Sequence, residues 1–89
     1  MAWRIKYRES ALKEMKKLSR KDREDAHNYL KNRIACADHP KDFGKALLHD
    51  KSGLWRYRVG KIRLICQINE SALKVLVVKV GQRNKVYQG

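Results

Sequence analysis

The chain has 89 residues, 43% of them hydrophobic, which suits one small domain (1–89) with a core of its own. Its 22 lysines and arginines against nine acids give a formal charge of +13, a balance that points to polyanionic partners and says nothing of fold. Two isolated cysteines, Cys36 and Cys66, argue against a disulfide scaffold and for a reducing, cytoplasmic setting, while short apolar runs exclude a membrane-spanning helix and the N-terminus lacks the apolar stretch of a signal peptide.

Trp3, Ile5 and Tyr7 alternate with Arg4 and Lys6, the period of a half-buried strand. Ala11, Leu12, Met15 and Leu18 then recur at helical spacing, with Ser10 as the expected N-cap. A second helix is expected from Ser19, whose hydroxyl can cap it, with Ala26, Tyr29, Leu30, Ile34 and Ala37 as its apolar stripe. Pro40, the only proline, should end that helix at about His39. Two amphipathic helices joined by almost no loop predict an antiparallel hairpin with one shared apolar face.

Residues 41–53 read as irregular, pinned to the core by Leu47 and Leu48. Three strand-like runs follow, 54–59, 62–68 and 73–80, separated by Gly60-Lys61 and by Asn69-Glu70-Ser71-Ala72. Connections this short predict an antiparallel meander, and the last run is apolar enough for a central strand. The order β-α-α-β-β-β implies an α+β fold: a helical hairpin packed on one face of a small, mainly antiparallel four-stranded sheet, its other face left for a ligand.

Charge concentrates in the second half. Residues 1–44 hold twelve basic and seven acidic side chains, whereas 45–89 hold ten basic and two acidic, and Lys51 to Arg63 contains five cations and no anion. With Gly60-Lys61 as a two-residue turn, Val59 faces Ile62 and Arg58 faces Arg63. Alternation then puts Trp55, Tyr57, Val59, Ile62, Leu64 and Cys66 on the core face, and Arg56, Arg58, Arg63, Ile65 and Gln67 on the other. Like charges directly opposed on a sheet are destabilising by a few tenths to about 1 kcal/mol, so stability alone would not place Arg58 across from Arg63. A guanidinium stays charged at every physiological pH and presents a planar fork to phosphate oxygens. The C-terminal run Arg83-Asn84-Lys85-Val86-Tyr87 can carry Arg83 and Tyr87 to the same face, or Tyr87 can simply pack on a helix.

The opening strand with Ser10-Ala11-Leu12-Lys13-Glu14, the segment Gly53 to Ile65 and the closing Val80-Gly81-Gln82-Arg83-Asn84-Lys85-Val86-Tyr87 together resemble RelE-type toxins of bacterial type II toxin–antitoxin systems, within the RelE/ParE superfamily. The resemblance covers nearly the whole chain. It implies a RelE-like fold and a metal-independent, cofactor-free endoribonuclease that cleaves mRNA in the decoding site of the 70S ribosome. It also implies contacts to 16S rRNA and a RelB-like cognate antitoxin, with operator DNA bound only through the antitoxin complex.

On the same resemblance, the catalytic positions fall on Arg58, Arg63, Arg83 and Tyr87, and Arg56 falls on an RNA-binding one. Lys51, Lys61 and Lys85, cations on either side of these, are further expected RNA-binding residues. Arg56 and Arg58 stand where the prototype has lysines; arginine keeps the charge but is a poor proton donor. Tyr87 is the expected general base, its phenol lowered by neighbouring guanidinium groups, and either Arg83 or a water would protonate the leaving oxygen.

Other readings remain at this stage. A ParE-like toxin acting on DNA gyrase shares the Tyr57-Arg58-Val59-Gly60 pattern, and a non-catalytic nucleic-acid-binding module could use the same sheet. The lysines and arginines of the helices are either a solvated face or a contact to ribosomal RNA. Cys36-x-x-His39 lacks the further ligands of a closed zinc site, so no metal is expected.

Overall fold

The computed structural model describes residues 2–47 and 53–82. In chain order it contains β1 (Arg4–Tyr7), α1 (Glu9–Lys16), α2 (Arg20–Tyr29), a π-helical turn (Leu30–Ile34), a 3₁₀ turn (Pro40–Phe43), β2 (Lys45–Ala46), β3 (Leu54–Val59), β4 (Ile62–Asn69) and β5 (Lys74–Gln82). The strands form one sheet in the order β1-β5-β4-β3-β2. β1 runs parallel to β5, and every other pairing is antiparallel. The expected α+β class holds, with β5 central, but the sheet has five strands rather than four. The extra one, β2, is two exposed residues paired with Trp55 and Arg56, too short to leave any periodicity in the sequence.

The helices cover one face. Ala11 and Met15 from α1, Ala26 from α2, and Leu30 and Ile34 from the π-helical turn meet Tyr57, Ile62, Leu64, Cys66, Val75, Val77 and Val80 of the sheet. Ser19 caps α2 as expected, its Oγ accepting from the Asp22 N–H at 3.2 Å. Ser10 does not cap α1. The helix starts two residues earlier, with Arg8 at the cap position donating its N–H to the Val77 carbonyl, so the strand-to-helix junction is fixed by the sheet and not by a side chain.

α2 also ends sooner than Pro40 suggests. Its last turn widens at Leu30–Ile34, closed by the Ala35 N–H to the Leu30 carbonyl at 2.8 Å, and the Ala35 carbonyl accepts from the Trp3 N–H at 2.7 Å. Pro40 instead opens the 3₁₀ turn, where its missing N–H is no loss. The expected pin of the 41–53 stretch is different too: Leu47 is half-buried outside the core cluster, and Leu48 lies outside the described residues. Gly44 does that work. A Cβ on it would stand 2.7 Å from the Arg56 carbonyl oxygen and 2.9 Å from the Tyr57 ring, so only glycine lets the chain lie this close to β3. The buried Tyr57 hydroxyl completes the clamp by donating to the Pro40 carbonyl at 2.8 Å.

The β4–β5 ladder slips by one residue: Ile65 pairs with Lys79 and Cys66 with Val77, leaving Val78 as a bulge. The Val80 N–H beyond the bulge donates to Glu14 Oε1 of α1 at 3.0 Å. This bulge returns Val80 to the core and places Gly81 beside Arg63, so β5 presents no side chain there.

Candidate nucleic-acid interface

The β3–β4 hairpin has the register that the Gly60-Lys61 turn predicts: Val59 pairs with Ile62, Arg58 with Arg63 and Arg56 with Ile65. Gly60 has φ +59°, and Lys61 is not left-handed, the backbone signature of a two-residue turn with glycine first. A two-residue loop makes Val59–Ile62 the hydrogen-bonded pair. Arg58–Arg63 is then the non-hydrogen-bonded kind, in which facing side chains approach most closely.

The face away from the helices is cationic from edge to edge. Register alone assigns to it Arg4 and Lys6 of β1, Lys45 of β2, Arg56 and Arg58 of β3, Arg63 of β4, and Lys74 and Lys79 of β5. None of the strand residues on this face is acidic. Asp42 stands at its margin with Lys45, Arg56 and Arg58, and Glu70 is ion-paired with Lys41. Arg4, Lys6, Lys45, Arg58, Lys74 and Lys79 make no ion pair with a described residue. A surface this dense in one sign is a potential well for polyanions.

The face is not uniformly bare, as the sequence led one to expect. Arg58 is exposed and Arg56 half-buried, but Arg63 is only 4% exposed and Ile65 beside it is buried as well. The exposed arginine is thus backed by a second guanidinium that the fold holds in a fixed place.

Lys61 is at the tip of the turn but reaches Asp22 on α2 at 3.4 Å, which ties it to the helix side and away from the arginines. Lys51, Arg83, Lys85 and Tyr87 lie outside the described residues. Sequence reasoning missed Lys45, Lys74 and Lys79 as members of the face. The alternation of Arg4 and Lys6 in β1 was a legible signal for that edge, whereas Lys79 joins only because the bulge shifts its register.

Cys66 and Tyr57 are buried within the core, whereas Cys36 is exposed. Burial pushes the Cys66 thiol up to about 12, and the Tyr57 phenol higher still, with Cys66 and Tyr29 adding to the rise. Tyr7 and Tyr29 are raised by burial too, although Arg33 partly offsets the effect at Tyr29. None of them is a base or nucleophile at neutral pH. The strands of the cationic face therefore supply charge stabilisation and phosphate binding, and the carboxylate at its margin is Asp42. Among the described residues no three His, Cys, Asp or Glu side chains gather as metal ligands, and no helix is long and apolar enough to cross a membrane.

Two helices on one face of a five-stranded sheet, with guanidinium and ammonium groups along the strands of the other face, make a small basic α+β module. Residues 5–87 match the family model described as the ParE toxin of type II toxin–antitoxin systems, parDE, and the chain belongs to that family, within the RelE/ParE superfamily. No curated protein matches the sequence. Among solved structures, the fold is similar to the RelBE2 toxin–antitoxin complex of Mycobacterium tuberculosis (TM-score 0.83, 19% identity, 93% of each chain covered). It is also similar to the isolated RelE toxin of E. coli (TM-score 0.73, 26% identity, 97% of this chain and 92% of that one). The archaeal RelE–RelB complex from Pyrococcus horikoshii is a third neighbour (TM-score 0.68, 19% identity, 96% and 99% covered).

Proposed function

We propose that this toxin is a ribosome-dependent mRNA endoribonuclease, inhibited by a RelB-like antitoxin. The observation that carries the reading is the directly opposed Arg58–Arg63 pair on a sheet face whose strands carry no acid, an arrangement unfavourable for the sheet and favourable for a phosphate. Support also comes from the likeness to RelE structures solved alone and with RelB.

The chemistry is attack of an RNA 2′-hydroxyl on the adjacent phosphorus. The 2′-oxygen bonds to phosphorus, the bond to the 5′-oxygen breaks, and the products are a 2′,3′-cyclic phosphate and a 5′-hydroxyl. The nucleophile is tethered already, so the protein has to align it, take its proton and stabilise the charge on the pentacoordinate phosphorus. Arg58 binds the non-bridging oxygens, with the buried Arg63 guanidinium behind it adding positive charge to the same place. Arg56, Lys45 and Lys79, in neighbouring positions, hold flanking phosphates. Tyr87 takes the 2′-proton, and Arg83 either shares the phosphate or, in place of a water, protonates the leaving oxygen. Metal and organic cofactors have no step in this scheme.

Ribosome dependence accounts for the rest of the charge: the mRNA lies among 16S rRNA phosphates, and the basic surface addresses those as well as the one cut. A RelB-like antitoxin would cover the same face with acidic and apolar side chains, and operator DNA would be contacted through that complex. The toxin acts in the cytoplasm, where ribosomes are.

A second reading is kept because the family model is that of ParE toxins, and ParE-type members poison DNA gyrase. Adding the purified toxin to a translating extract and mapping mRNA ends by primer extension separates the two. Cuts within A-site codons are expected; intact mRNA with gyrase-dependent DNA breaks would establish the other.

A further inference from the structure

Two large hydrophobic side chains are exposed among the described residues, Leu12 on α1 and Phe43 at the end of the 3₁₀ turn. Leu12 stands on the helix side, far in the fold from the cationic sheet face. Phe43 borders it. The residue is 44% exposed and, with Asp42, Gly44, Lys45, Arg56 and Arg58, lines a shallow groove of about 250 Å³. Three cations against one carboxylate make that groove a place for a negatively charged ligand, and a phenyl ring in its wall gives that ligand an aromatic surface.

The position of the ring is built, not incidental. Gly44 presses the turn onto β3 at a distance no other residue permits, Tyr57 hydrogen-bonds to Pro40 at the start of the turn, and Lys45 pairs with Arg56 immediately after it. Phe43 is therefore held beside the two arginines by three separate contacts. The Arg33 guanidinium lies 5.8 Å from the ring centroid, a cation–π contact that braces the ring while leaving much of it to solvent.

We infer that Phe43 is a stacking platform for an unpaired nucleobase of single-stranded RNA, whose adjoining phosphate is bound by Arg58 and Lys45. The assignment rests on the RNA-directed reading above and extends it with a base-binding subsite. Single-strand binders combine a basic groove with an aromatic face because every base has a π surface, and the groove at Phe43 has both parts. A protein segment seated on the same ring is the competing occupant, and a border of three cations with one acid favours RNA over a mixed-charge peptide.

The test uses the intact toxin, an RNA hexamer carrying one 2-aminopurine, and fluorescence titration at low salt. Phe43→Leu should bind about five- to 150-fold more weakly, the range for loss of one base–aromatic stack, and lose the stacking quench of the probe. Phe43→Trp should retain both, and unchanged circular dichroism certifies folding for this exposed position. Wild-type affinity and quench in Phe43→Leu, with Arg58→Ala still weakened, would overturn the subsite and leave the RNA reading standing. The same result with weaker antitoxin binding would assign the ring to a protein partner. No binding of the hexamer by the wild type would overturn the subsite, while the ribosome-dependent reading is decided separately by the mapping of mRNA ends in the translating extract.

Discussion

Arg58 and Arg63 sit directly opposite each other across the β3–β4 hairpin, one exposed and one buried, joined by a turn of two residues. Nothing in sheet energetics favours this. Replacing the exposed member with threonine, a good strand residue, should raise stability by a few tenths to about 1 kcal/mol, read as a higher urea midpoint at unchanged slope. Growth arrest on expression should be lost in the same variant. A lower midpoint would mean that Arg58 serves the fold.

Gly44 fixes the turn that carries Phe43 and Lys45. Gly44→Ala drives a Cβ to within 2.7 Å of the Arg56 carbonyl oxygen, a backbone atom that cannot step aside without moving β3. We expect a loss of about 1–3 kcal/mol, the usual penalty of overpacking, in chemical denaturation. Gly60→Ala, with open space around the new methyl but φ +59°, should cost less, about 1 kcal/mol.

Stability should fall on the alkaline side. Cys66, raised to about 12 from an ordinary value of 9.0, stays protonated in the folded chain and ionises once exposed, as do the raised tyrosines. Unfolding then releases protons, so the stability these groups contribute is complete below about pH 9 and declines as pH rises toward 12. Cys66→Val should flatten the first part of that decline in melts taken from pH 8 to 10. In thiol titration of the native protein, exposed Cys36 should react and Cys66 should not.

Salt should weaken RNA binding steeply. Each sheet-face cation that meets a phosphate of a single strand contributes about 0.7 to the log–log slope, so Lys74→Ser and Lys79→Ser should each lower the slope by roughly that amount. An unchanged slope would remove that residue from the interface.

The hairpin was legible because its information is local: Gly60 selects the turn, the turn fixes the register, and alternation from Trp55 to Gln67 then sorts core from open face. The cap at Ser19 and the central place of β5 follow from equally local signals. The π-helical turn at Leu30–Ile34 was not legible, since it depends on Trp3 capturing the Ala35 carbonyl from 32 residues away in sequence. β2 and the placement of Phe43 depend on Gly44 lying against β3, a close approach that no periodicity announces. Lys79 joins the site through a bulge whose far side is satisfied by Glu14. The placement of Arg56, Arg58 and Arg63 on the open face was legible because strand alternation alone sets it, whereas the Lys61–Asp22 ion pair was not, because Asp22 comes from another element.

The central claim is that the arginine pair acts on an RNA phosphate. Single-turnover cleavage of mRNA on programmed 70S ribosomes, comparing the wild-type toxin with Arg58→Ala and Tyr87→Phe, tests it most directly. The account predicts A-site cuts ending in a 2′,3′-cyclic phosphate, and a rate at least about a hundredfold lower in each variant. Equal rates for wild type and Arg58→Ala, or no cleavage by the wild-type toxin, would contradict it.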